Sequence, residues 1–227
     1  MHSGVAMKST GFLYDERFFN HVTGPYHPEV PERLTAIYQG IEQKGLLEYL
    51  TIIPAQPADR MWIELVHDKA YVDRFEAACR NGQATFDSPD NQMGPETFPT
   101  ALLAVGGVLD TVDRIIAGEI DNAFCAVRPP GHHAERSKAM GFCYFNNAAI
   151  AAAYLQTKWF LQRVAIIDID VHHGNGTQHI FEEDDTVFYY SIHQHPSFAY
   201  PGTGRAFENG EKRGLGYTCN STVLPGQ

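Results

Sequence analysis

The sequence predicts an α/β protein built on a mostly parallel sheet with helices packed against it. Three observations carry that expectation. Short apolar runs of β-type residues recur along the chain, and amphipathic helical patterns lie between them. One run, VAIIDI at 164–169, is almost continuously β-branched, as a central parallel strand covered on both faces would be. The 227 residues suffice for one sizeable domain and are short for two. No repeat, low-complexity stretch or linker divides them, so 1–227 is read as a single domain.

In chain order, strands are expected at 11–14, 51–53, 123–127, 164–169 and 186–192. A first helix is predicted over 31–44, because Pro31 suits a helix start, Leu34, Ile37, Tyr38 and Ile41 share a face, and Gly45 stops it. Residues 68–80 place Tyr71, Val72, Phe75 and Ala78 in the same way. The clearest pattern is 98–117, with Thr97 as cap, Pro99 in the first turn, Leu102, Val105, Leu109, Val112 and Ile116 at helical spacing, and Gly118 as the stop. Residues 147–155 are small and apolar all round, which predicts a helix buried against a sheet. Gly174-Asn175-Gly176 reads as a tight turn into a helix at 177–183.

Composition narrows the function classes. Hydrophobic residues make up 44% and charged residues 19%, a globular profile, and 17 Lys+Arg against 27 Asp+Glu leave a net charge of −10. An acidic chain without a basic run is poorly suited to phosphate backbones or anionic lipid, so neither nucleic acid nor membrane is expected as a partner. No apolar run approaches the ~18 residues a membrane helix needs, and Met1 to Thr10 lacks a signal-peptide layout. The dispersed Cys79, Cys125, Cys143 and Cys219 form no C-x-x-C pair and read as reduced, mostly buried thiols of a cytoplasmic protein.

Seven of the 11 histidines fall between His132 and His195. Ligands of parallel α/β sheets sit beyond the carboxyl ends of the strands, and two histidine-rich segments follow strand ends here. In the second, Asp168, Asp170 and His172 are spaced by two, so an extended chain would aim all three side chains alike. Carboxylate and imidazole suit a borderline ion such as zinc; the alternative is an acidic strand terminus with His172 and His173 capping the next helix. In the first, Arg128-Pro129-Pro130-Gly131-His132-His133 is a rigid loop presenting adjacent histidines. The pair suits general acid–base work near a metal, or is simply two polar residues on a surface loop. Phe142 and Tyr200 read as core aromatics or as walls of a narrow pocket. His193-x-His195 reads as a metal pair or, as is commoner after a strand, as structural, and His67 reads as a packed or capping histidine.

Taken together, these segments resemble the zinc-dependent histone deacetylase family, in its class II-like branch with bacterial histone deacetylase-like amidohydrolases and acetylpolyamine amidohydrolases. The resemblance lies in HPEVPERL (27–34), RPPGHHA (128–134), GFCYFNNAAIAA (141–152), VAIIDIDVHHGNGTQ (164–178), SIH (191–193) and YPGTG (200–204). It implies an arginase/deacetylase-like sheet and Asp170 and His172 as zinc ligands. It implies His132 and His133 as the proton-handling pair, with Asp168 orienting His132 and Asn175 beside His133. Phe142 and Tyr200, with Gly141, would wall an acyl-lysine tunnel, and Asp90, chosen over Asp87, would be the rim acid in the loop 87–91. A potassium ion is implied at Asp168, Ser191 and the carbonyls of Asp170, His172 and Ile192, and a second at carbonyls of Phe181, Asp184, Val187 and Tyr217.

The family's third zinc ligand and its transition-state tyrosine lie in later segments that do not occur here, so the chain is expected to be a C-terminally truncated domain with an open sheet edge. The implied activity is removal of acetyl groups from acetyl-lysine or acetylpolyamines by metal-activated water, with a homo-oligomer as a further expectation. The alternative is a catalytically incompetent acyl-lysine-binding relative or fragment. A binuclear manganese hydrolase of the arginase type would need an acid at position 174, where Gly174 stands.

Overall fold

The computed structural model describes residues 9–227; residues 1–8, most of the stretch read for a signal peptide, lie outside the described residues. The elements run β1 (Thr10–Leu13), α1 (Glu32–Gln43), β2 (Leu50–Ile53), α2 (Arg60–Ile63), α3 (Lys69–Arg80), β3 (Thr85–Phe86), β4 (Ser88–Gln92) and α4 (Thr97–Ile116). They continue with β5 (Asn122–Cys125), α5 (Asn147–Trp159), β6 (Val164–Asp168), α6 (Asn175–Phe181), β7 (Val187–Gln194) and β8 (Thr218–Val223). The five expected strands and five expected helices are all present.

Two parallel three-stranded sheets organise the chain, one in the order β2-β1-β5 and the other β6-β7-β8, with β3 and β4 as a separate antiparallel hairpin. Helix α4 joins their cores because its two faces are both apolar. Leu103 and Ala104 pack with Phe12, Leu13, Leu34 and Ile53, while Ala101, Val105 and Leu109 pack with Phe75, Tyr144, Phe145 and Ile150. Gly106 sits where α4 meets the 56–58 segment: a Cβ there would lie 1.8 Å from the Gln56 carbonyl oxygen.

Several expectations need correction. Strand β6 is covered on one face only, and Ile167 and Ile169 are 60% and 79% exposed. The run of β-branched residues reports strand propensity, but among the described residues no helix covers that side. Thr97 is the first helical residue of α4 rather than its cap; its Oγ1 accepts from Gly94 N at 2.9 Å and meets His21 Nδ1 at 3.0 Å. Asn175 and Gly176 already belong to α6, so the turn is completed before them. The stretch 87–91, read as a loop, falls largely within β4 (Ser88–Gln92). Strand β8 has no counterpart among the expected strands because TCNSTV carries no apolar alternation; its inward residues are Thr218 and Asn220.

All four cysteines are free; Cys79 and Cys143 are buried, Cys125 is half-buried and Cys219 is exposed, against the expectation of mostly buried thiols for the last. Among the described residues no helix is long and apolar enough to cross a membrane.

Candidate active site

The loop between β5 and α5 carries the tandem histidines. His132 Nδ1 lies 2.9 Å from Asp168 Oδ2 and His133 Nδ1 lies 2.7 Å from Asn175 Oδ1. Both partners can only accept at those oxygens, so each Nδ1 carries the proton and each Nε2 is the acceptor nitrogen. The two rings stand 4.0 Å apart between centroids. His133 is buried, and burial foremost, with the charge of His132 second, pulls its pKa down to about 4.

Asp168 closes β6. Burial alone would push its carboxyl up, but hydrogen bonds from His132, Asp170 N and the Tyr189 hydroxyl outweigh burial and leave it below the usual carboxylate range. The backbone then leaves the strand through two side-chain turns, Asp170 N donating to Asp168 Oδ1 at 3.1 Å and His172 N to Asp170 Oδ1 at 2.8 Å. The expected extended course therefore ends at Asp168. Asp168 faces an open cleft of about 490 Å³ beside the free edge of β6, shared with His132 and Asp170. Asp170 and His172 face the histidine pair across a second cavity.

That second cavity, about 430 Å³, brings together His132, His133, Asp170, His172, Gly141, Phe142, Tyr200 and Asp90. The Tyr200 ring stands edge-on to His133 at 5.0 Å and to His172 at 6.2 Å, and burial pushes its hydroxyl up to about 12. Phe142 is fixed by its own N–H donating to Asn91 Oδ1 at 2.9 Å. Gly141 has φ +53°, and a Cβ there would lie 2.3 Å from the His133 ring, so only glycine lets that turn pass under the imidazole. Asp87 has a structural role: its carboxylate takes an Arg74 hydrogen bond and one from Ala139 N at 2.8 Å. Asp90 is exposed and lines the cavity.

Asp170 and His172 form a donor pair, Oδ1 to Nδ1 3.2 Å, with half-exposed side chains. A carboxylate and an imidazole fit two positions of a zinc site; among the described residues no set of three or more His, Cys, Asp or Glu converges on one point. For the implied potassium ions, β6–β7 register sets Asp168 opposite Ser191, with Ile192 next along β7. Phe181 ends α6 and its carbonyl accepts from Asp184 N at 2.9 Å; Val187 begins β7, and the Tyr217 carbonyl accepts from Tyr189 N at 2.8 Å.

His67 is a packed histidine, held between the Glu135 carbonyl and Asn146 N, and burial lowers it to about 4. His193 is likewise internal, between Ser191 Oγ and the Gly204 carbonyl. Sequence reasoning missed Tyr189, whose hydroxyl donates to Asp168 at 3.1 Å, and Asn91. Neither carries a sequence signal: one is a tyrosine on an apolar strand, the other an asparagine in a polar hairpin.

Comparison with known proteins gives the same direction. A family model described as histone deacetylase domain matches residues 27–227. A probable deacetylase of Archaeoglobus fulgidus is 38% identical over 219 residues, covering 96% of this chain and 60% of its own length. A histone deacetylase-like amidohydrolase of Pseudomonas aeruginosa is 36% identical over 236 residues, covering 96% and 62%. A crystal structure of the HDA15 HD domain superposes with a TM-score of 0.88 at 38% identity, covering 96% of this chain and 62% of that one. A rat polyamine deacetylase, HDAC10, is 40% identical over 200 residues, of which this chain spans 34% of the length. The chain thus spans less than two thirds of the length of each of these relatives.

Proposed function

The chain belongs to the histone deacetylase family, and on that premise we propose that it is a zinc-dependent amidohydrolase acting on acetyl-lysine side chains or acetylated polyamines. The observation that supports this most is the convergence of the His132–His133 pair with Asp170 and His172 on one cavity walled by Phe142 and Tyr200. Asp170 and His172 would hold the zinc, which when bound supplies Lewis-acid polarisation of the acyl carbonyl and of water. His132 and His133 move the protons. The Asp168 carboxylate holds the His132 tautomer and stabilises an imidazolium, so the proton leaving water is taken up at His132 Nε2. Asn175 has no charge to offer His133, which stays neutral with Nε2 as an acceptor, so the proton taken up at His132 Nε2 is the one that passes to the leaving amine.

Phe142 and Tyr200 would flank the alkyl stem of the substrate, and exposed Asp90 at the rim would accept from a peptide N–H or meet an ammonium. Potassium at the Asp168–Ser191 site and at the 181–217 site remains part of the same reading. The four free thiols fit a reducing compartment such as the cytoplasm.

The test is hydrolysis of an acetyl-lysine peptide and of N-acetylputrescine with zinc supplied, against a chelator control. The expected result is chelator-sensitive turnover, reduced at least about 100-fold in His132→Ala and lost in Asp170→Ala. Turnover that survives chelation or Asp170→Ala would overturn the reading. Acetyl-lysine binding without turnover would instead favour a non-catalytic acyl-lysine binder.

A further inference from the structure

The 21–29 segment, whose last three residues open the HPEVPERL motif, lines no part of the cavity that holds the histidine pair, and its His21, His27 and Glu29 are buried. Glu29 and His21 are fully buried and Arg128 nearly so. Glu29 accepts from Arg128 Nε through Oε1 and from Arg128 Nη2 through Oε2 at 2.7 Å. The same guanidinium donates to the carbonyls of Phe18 at 3.1 Å and His21 at 3.0 Å. His21 Nε2 stands 3.3 Å from Glu29 Oε2 without a hydrogen-bond partner, so the carboxylate also faces a second polar group. Arg128 is the residue from which Pro129-Pro130-Gly131-His132-His133 springs. Beyond Pro130 the loop is tied to α5 and α6, by Thr177 N donating to the His132 carbonyl and by Asn146 Nδ2 donating to that of Ala134. Its first residue, Arg128, is tied to the opposite wall through the Glu29 carboxylate and the carbonyls of Phe18 and His21, and Glu29 is the one charged partner that sets the plane of the fork.

The same segment also holds the rim. His27 Nδ1 accepts from Glu29 N at 3.1 Å, so Nε2 carries the proton and donates to the Asp90 carbonyl at 3.0 Å. The His27 ring packs edge-on against Phe142 at 4.5 Å.

We propose that Glu29 is a positioning residue for the reaction: through the Arg128 fork it sets where His132 and His133 stand relative to Asp170 and His172. The inference rests on the deacetylase reading for its purpose, but not for its test. A rigid loop transmits a shift at its root to its tip, and a misplacement of about 1 Å in a proton-handling group can cost on the order of 100-fold in rate. A lysine at 128 would keep the buried charge and lose the planar five-donor fork.

The experiment uses the full chain, without added metal, with histidine side chains labelled for NMR. Glu29→Gln and Arg128→Lys are compared with the wild type through the His132 Nδ1–H resonance and amide exchange over 129–134. His67 Nδ1–H and the amides of α3 report the rest of the fold. The expected result is a shifted or broadened His132 resonance and at least tenfold faster loop exchange in both variants, with His67 and α3 unchanged. If Glu29→Gln does not fold, Arg128→Lys decides. A wild-type His132 signal in a folded Arg128→Lys protein overturns the proposal. Loosening that reaches His67 and α3 equally, or failure of both variants to fold, also overturns it, in favour of a general stability role. In a chain active under the assay above, Glu29→Gln should lower kcat at least tenfold and change KM less than twofold. Absence of turnover in the wild type would strike the deacetylase reading and leave the NMR outcome standing.

Discussion

Position 174 shows how little room the site leaves. A Cβ there would lie 2.4 Å from Asp168 Oδ2, 2.6 Å from the Tyr189 hydroxyl and 3.0 Å from His132 Nδ1. His132 Nδ1 and Asp168 Oδ2 make the bond that fixes the His132 tautomer, and the Tyr189 hydroxyl donates to the same oxygen, so Gly174→Ala must displace them. We expect a stability loss of about 1–3 kcal/mol from overpacking and a drop in kcat/KM of about 100-fold. Urea melts and turnover read the two separately, and a variant with wild-type turnover would show that the Asp168–His132 contact is dispensable. The same geometry explains why an arginase-like acid cannot stand here, which the sequence alone could state only as the absence of a side chain. Asn175 offers a complementary change. Asn175→Asp sets a carboxylate 2.7 Å from His133 Nδ1, which favours the imidazolium, so the His133 pKa should rise from about 4. An NMR titration of its ring carbon would check this, and an unmoved midpoint would mean that burial alone governs it.

Among the elements, two helical glycines should respond to the same substitution with opposite signs. Alanine is favoured over glycine by roughly 0.8–1.0 kcal/mol inside a helix. A methyl added at Gly40 in α1 would meet nothing within 4 Å, so Gly40→Ala should raise the urea midpoint by about that propensity gain. Gly106 in α4 has backbone atoms of Gln56 and Ala58 at 1.8 and 2.5 Å, which no rotamer change relieves, so Gly106→Ala should lower the midpoint despite the propensity. Equal shifts in the two would refute close approach as the reason for Gly106. Periodicity made α1, α3 and α4 legible within a residue or two, because their buried stripes repeat at helical spacing. It gave no access to β8, where Thr218 and Asn220 face inward, or to the β3–β4 hairpin, whose residues are mostly polar. Nor does a strand's own sequence name its neighbour: β1 and β6 read alike as apolar runs, yet they belong to different sheets. The site was legible at Asp168, Asp170, His172, His132 and His133 because charged and imidazole groups at strand ends need a purpose. The clamp on Arg128 was not, since Glu29 and Arg128 lie 99 residues apart.

At the scale of the molecule, acid should be the weak point. His67, His133 and His173 are each held near about 4, burial being the largest cause in all three. Unfolded, they would titrate near their ordinary ~6.5. Between those values the unfolded chain binds the extra protons, so stability falls as pH drops through this window and is unaffected by these groups above it. The slope is about 1.4 kcal/mol per pH unit for each histidine, or up to about 4 kcal/mol per unit for the three together. His179 acts in the opposite sense: its hydrogen bond with Glu135 raises its pKa, so its contribution is present below ~6.5 and lost as pH rises through the raised value. Glu29, held at about 2 by His21 and Arg128 against the push of burial, adds a loss that begins only below the ordinary glutamate range. A domain with a stability of about 5–15 kcal/mol should therefore be strongly weakened by pH 5 while its carboxylates are still ionised. Urea midpoints measured in chelator at pH 7.5, 6 and 5 should fall steeply over the last step, and replacing His67 with an apolar residue should shallow that fall by one proton's worth. A flat profile across those three points would mean that the buried imidazoles protonate in place, and that the histidine-rich side of the sheet is open to water in the native state.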